Sequence, residues 1–166
     1  MKFLSLIFAL FFITNVFAVI TTPGSTYVNN LGTVETYDKT WIMVYNGTGS
    51  TIARGSVVVF DTTADDAYTI TSSTTFGVAT ACVADEAIAN LTKGLCLIRG
   101  KHDAVLFKLT GAETLAINEL AYHSDTAYYA APVAAATATY PMYMPIGYAL
   151  DACTATGTCD MFINIK

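Results

Sequence analysis

Charge is what this chain has least of: Asp, Glu, Lys and Arg together make up 13% of its 166 residues, and eight of them are basic. Two arginines and six lysines cannot assemble a basic stripe, which argues against a nucleic-acid partner. Histidine is almost as scarce, with two residues in the whole chain. Gly-x-Ser-x-Gly elbows, phosphate-binding Gly-x-x-x-x-Gly-Lys loops and dinucleotide-type Gly-x-Gly-x-x-Gly runs are all missing, so the familiar catalytic and cofactor signatures have no foothold. A sustained helical period is missing too, the best stretch being Asp85 to Leu91. A lone domain normally solvates itself with more charge than this, so neighbouring subunits are expected to cover part of the surface.

What is abundant is Val, Ile, Thr, Tyr and Phe, residues that fit a pleated, half-buried surface. From Trp41 onward short apolar runs alternate with turn formers. Trp41 to Tyr45, Ser56 to Phe60, Tyr68 to Thr71, Phe76 to Cys82, Leu95 to Ile98, Val105 to Leu109, Leu120 to Tyr122, Met142 to Leu150 and Met161 to Ile165 read as strands. Asn46-Gly47, Arg99-Gly100 and Thr110-Gly111 read as turns. Many short, evenly spaced strands predict an all-β, small barrel-like or sandwich domain over residues 41–166. Residues 127–140 are Ala-rich, yet Pro132 and the interleaved Thr and Tyr favour an irregular or edge segment over a helix.

Two segments precede that domain. Lys2 followed by the apolar run Phe3 to Ile13, with Val16 and Ala18 ahead of a possible cut, predicts a signal peptide over residues 1–18. The alternative is a retained hydrophobic anchor, although the run is short of the ~20 residues a membrane span needs. Any membrane contact is expected only through these residues, if they are retained. Residues 19–40, polar and turn-rich, read as an extended arm; fully stretched it spans about 70 Å and is expected to reach a neighbouring subunit.

Four cysteines follow residue 18, at Cys82, Cys96, Cys153 and Cys159. They permit three connectivities. The short Cys153 to Cys159 loop around Gly157 suits a hairpin staple, which leaves Cys82 with Cys96; four buried free thiols are the alternative. The spacings match neither zinc hooks nor a redox C-x-x-C.

A weak repeat runs through the domain. Phe76-Gly-Val-Ala-Thr-Ala-Cys82 resembles Ile146-Gly-Tyr-Ala-Leu-Asp-Ala-Cys153, each preceded by a strand ending in an acidic turn, at Asp61 and Asp125. Two weakly similar β units are therefore expected, with Gly77 and Gly147 letting the backbone pass close to a crossing strand. Together, Gly55-Ser-Val-Val58, Asp61, Phe76-Gly-Val-Ala79, Leu97-Ile-Arg-Gly100, Leu120-Ala-Tyr122 and Ile146-Gly-Tyr-Ala-Leu150 give an order that resembles the small capsid decoration (cement) proteins of tailed bacteriophages. The resemblance spans residues 52–165. It implies a non-enzymatic structural role on a virion surface, with other protein subunits as partners in self-assembly or a capsid lattice. The signal-like start and the four cysteines are not part of that pattern, and point to export instead. The alternative function is a secreted, monomeric binding module, an adhesin or carbohydrate binder.

Candidate site residues are few. His102-Asp103 and His123-x-Asp125 are the two histidine–carboxylate pairs, and read as solvated turn histidines rather than catalysts. Asp61, Asp65 and Asp66 are weak calcium candidates, because their spacing is not that of an EF-hand and no bidentate Glu follows; neither a metal nor a cofactor is expected. Asn46-Gly-Thr48 and Asn90-Leu-Thr92 are glycosylation sequons, relevant only in a glycosylating secretory route. Tyr128, Tyr129, Tyr140, Met142, Tyr143 and Met144 crowd one segment and fit either a subunit interface or ordinary strand packing.

Overall fold

In the computed structural model, residues 20–28, 34–64, 66, 68–109, 114–132 and 144–166 are described, with side chains from Lys39 onward. The segments 1–18 and 133–143 of the sequence reading lie outside that set, as does Asp65. The described chain is all-β: β1 (Ile20–Val28), β2 (Val34–Asn46), β3 (Val57–Phe60), β4 (Thr69–Thr71), β5 (Cys82–Ala84), β6 (Lys93–Phe107), β7 (Leu120–His123), β8 (Ala130–Pro132), β9 (Gly147–Ala149) and β10 (Gly157–Asn164).

The strands pair into two rings that share β6. One runs β2-β4-β3-β5-β6 and returns to β2; the other runs β6-β10-β9-β7-β8 and returns to β6. Each ring includes one parallel contact of only one or two residue pairs, β2–β4 in the first and β6–β8 in the second, so the sheet is partly ringed rather than a clean barrel. The two rings repeat one another strand for strand. Ile52 and Ile88 exchange both backbone hydrogen bonds at 2.9 Å, as Leu115 and Cys153 do at 3.1 and 2.9 Å. Asp61 N–H donates to the Thr69 carbonyl at 2.8 Å, and Ser124 N–H to that of Tyr129 at 2.9 Å. β3, β4, β5 and the first half of β6 thus correspond to β7, β8, β9 and β10.

β6 joins the units by changing which face it offers. Gly94 and Cys96 are buried toward the first ring, whereas Val105 and Phe107 are buried in the second. Arg99-Gly100, read as a turn, instead lies inside this continuous strand, and Gly100 takes a φ of +120°. The first core holds Val44, Ile52, Val58, Ile70, Ile88 and the Cys82–Cys96 pair. The second holds Phe107, Leu115, Ile146, Met161 and Ile163, and also takes in Val57, Val83 and Leu97 from the outer side of the first ring. Burying each of those three contributes roughly 1.5–3 kcal/mol, so the seam between the units is a large part of what holds the fold together.

Three expectations change. First, β2 runs through residues 40 and 41, where the boundary was placed, and pairs with β1 from Trp41 to Val34. Second, Phe76 to Cys82 is mostly irregular, and the strand begins only at Cys82. Third, the repeat is real but its register differs: Val58 faces Cys82 where Ala121 faces Gly147, so the partner of Gly147 is Cys82, five residues beyond Gly77.

Candidate functional site

The densest cluster of titratable groups sits where β2, the end of β5 and the middle of β6 meet. Asp85 accepts a hydrogen bond from Trp41 Nε1 at 2.6 Å through one oxygen. Its other oxygen is 3.5 Å from His102 Nε2 and 3.9 Å from Lys39 Nζ. Ala104 N–H donates to His102 Nδ1 at 3.1 Å, which puts the ring proton on Nε2, where it faces the Ala84 carbonyl at 3.1 Å. Arg54 donates from Nε to the Asp85 carbonyl at 3.1 Å and pairs through its terminal nitrogen with Asp103.

This arrangement corrects the reading of His102 as a solvated turn residue: it is fully buried within β6. Burial pushes its pKa below the ordinary 6.5, against the opposing pull of Asp85. A neutral, buried imidazole with both nitrogens engaged positions strands; it ties β6 to β5. His123 is corrected likewise. It is fully buried in β7, burial lowers its pKa from 6.5, and Nδ1 lies 2.7 Å from the Ser124 carbonyl while Nε2 has no partner. Its own carbonyl accepts from Gly77 N–H at 2.9 Å, another link between the two units.

The acidic turns are committed locally. Asp61 accepts from the backbone and hydroxyl of Thr63 at 2.9 and 2.7 Å, and Asp66 from Tyr68 N–H and both donors of Thr69. Hydrogen bonds from Thr63 and Thr69 respectively hold both carboxyls below their usual range. Among the described residues no three His, Cys, Asp or Glu side chains gather as metal ligands.

The sequon at Asn46 is closed in the folded chain. Asn46 is buried, and its amide nitrogen donates to the Ser50 and Ile88 carbonyls at 2.8 Å each, leaving no room for a glycan. Asn90 is half-buried, with its side-chain oxygen accepting from Gly49 N–H at 2.9 Å.

Both cysteine pairs stand at disulfide distance, with Cα separations of 5.6 Å for Cys82 and Cys96 and 5.8 Å for Cys153 and Cys159. Gly77 has a φ of +68° in a turn, and Gly147 is packed against β10, where a Cβ would run into the Phe162 carbonyl.

The Tyr and Met cluster divides. Tyr140, Met142 and Tyr143 lie outside the described residues. Tyr128 has a φ of +72°, packs on the first core and accepts Val57 N–H at 2.9 Å, so it belongs to the seam inside the chain. Tyr129 is half-buried, and Met144 is 56% exposed. Sequence reasoning passed over Ile117 and Leu120, which are 55% and 48% exposed beside β9. The alternation in Leu120-Ala-Tyr-His123, with Ala121 and His123 buried, would have marked Leu120 as outward-facing.

No protein-family model matches the sequence, and no curated protein matches it. Among solved structures, the chain is similar to the head fiber gp8.5 N base of bacteriophage phi29, with a TM-score of 0.50 and 12% identity over 76% of this chain and 96% of that one. At that identity the likeness is one of fold, an all-β arrangement that the chain shares with a phage head-fibre base.

Proposed function

We propose that the chain is a non-enzymatic structural subunit of a phage-like particle, carried on the virion surface, where it decorates or builds the assembly and stabilises subunit contacts. The observation that carries this reading is the fold, which matches nearly the whole length of the phi29 head-fibre base. The chemistry of the chain supports it. Its histidines serve as buried ties, its acidic turns as local caps, and its surface is poor in charge. Decoration of a capsid lattice in the manner of a cement protein is the finer form of the proposal, carried by the glycine and strand motifs from Gly55 to Leu150. The test is mass spectrometry of gradient-purified particles from the producing culture. The chain is expected to band with the particles at a fixed stoichiometry to the main shell protein. Finding it only as free monomer in the medium would overturn the reading in favour of a secreted binding module.

A further inference from the structure

The two rings carry the same cross-strand row on their outer faces, and the two rows meet different fates. In the first unit the row is Val57, Val83 and Leu97, linked by direct register pairs, and all three are fully buried by the second unit. In the second unit the matching row is Leu120, Tyr148 and Phe162, and Leu120 is 48% exposed. Ile117, standing where the first unit has Arg54, extends this apolar surface at 55% exposure, and the Tyr148 and Phe162 rings stack with centroids 5.3 Å apart.

The geometry points to this face of the second unit as a contact surface for a second copy of the chain, an inference that rests on the structural role proposed above. Two observations favour another copy as the occupant. Within the chain, the equivalent row is already covered by a unit of this same fold, so the seam supplies the pattern for the contact. Charge allows like to meet like there, although the chain carries a net charge of −5. Lys101 lies in register beside Phe162 and pairs with Asp160 at 3.2 Å, so the rim of the face carries one cation and one anion. Two such rims can exchange partners, each lysine meeting the other copy's aspartate. A stacked aromatic pair flanked by leucine and isoleucine is the composition of an interface core, with the ion pair at its edge.

The test is sedimentation equilibrium of the full chain beside Leu120→Glu, Ile117→Glu and, as a control on a distant exposed residue, Leu91→Glu. All three side chains are exposed, so each variant is expected to keep the wild-type circular dichroism and melting point to within a few degrees. Wild type and Leu91→Glu should self-associate, and Leu120→Glu and Ile117→Glu should weaken that association about tenfold or more, because a carboxylate would be buried in an apolar contact. A wild type that stays monomeric, or an association untouched by both variants, would overturn the inference. Particle banding of the same proteins reads the structural role separately: a monomeric wild type that still bands with particles sinks the self-contact alone.

Discussion

Gly55 and Asn118 occupy the same place in the two units. Both have left-handed backbone, with φ of +84° and +65°, and each donates its N–H across to the next strand, to the Ala84 carbonyl at 2.7 Å and the Ala149 carbonyl at 2.9 Å. One turn therefore opens β3 and β7, built once with glycine and once with the side chain that best tolerates this conformation. The two positions are not interchangeable, because a Cβ on Gly55 would run into the Ala104 carbonyl of β6. Asn118→Gly is expected to change stability by no more than about 1 kcal/mol. Gly55→Ala should cost more than about 2 kcal/mol, since it adds a clash to an unfavourable φ. Urea denaturation of the two variants checks the pair; equal effects would contradict the asymmetry.

The cysteine pairs complement one another across the repeat. Cys153 and Cys159 stand where the first unit has Ile88 and Gly94, and a Cβ on Gly94 would come within 2.6 Å of Ile88 Cγ1. Cys82 and Cys96 stand where the second unit has Gly147 and Met161. Each unit therefore fills one of two equivalent sites with a sulfur pair and the other with a large side chain facing a glycine. Both pairs are expected to be oxidised in natively purified protein, and non-reducing peptide mapping that found four free thiols would contradict this. Replacing Cys82 and Cys96 together by Ser should cost about 3 kcal/mol, as expected for a bridge closing a loop of this length.

Acid should weaken the fold through its histidines. The unfolded chain binds protons near the ordinary histidine value of 6.5, whereas burial lowers the folded-state pKa of both His102 and His123. Between those values the unfolded state holds more protons. Stability is therefore full above 6.5 and falls as pH drops below it, with a limiting slope of about 1.4 kcal/mol per pH unit for each histidine. His102 also faces Asp85, Asp103 and Arg54, and the Asp85 carboxylate moderates its share. His123→Leu should flatten part of the decline in a series of melting points across this range. An unchanged profile in that variant would show that His123 does not titrate with unfolding.

Gly147 tests the closeness of β9 to β10. Gly147→Val should destabilise by several kcal/mol, because the added carbons meet the Phe162 backbone, which cannot step aside as a side chain does. Gly77 has a φ of +68°, a conformation a β-branched residue adopts poorly, and Gly77→Val should cost about 1–3 kcal/mol through that strain. Thermal melts of the two variants rank them.

Much of this architecture is legible in the residues, and the misses have physical causes. Apolar runs such as Ser56 to Phe60 and Met161 to Ile165 announce strands because both faces, or alternate faces, must be buried, although the last strand begins earlier, at Gly157. The repeat is legible, yet its register is not, because two Ile/Phe-Gly-x-Ala strings align more conspicuously than Cys82 does with Gly147. His102 and His123 looked like turn residues because Asp103 and Asp125 stand close by. Strand alternation instead turns each histidine inward while those aspartates stay exposed. That Arg99-Gly100 continues a strand follows from pairing with β10 on one side and β2 on the other, a tertiary fact that no local pattern carries.

The central claim, that this chain is a surface subunit of a particle, is tested most directly by cryo-electron microscopy of intact particles from the producing culture. Ordered density is expected on the outside of the shell, into which the two fused rings of strands β2 to β10 fit. Density accounted for entirely by other proteins, with this chain absent from the particles, would contradict it.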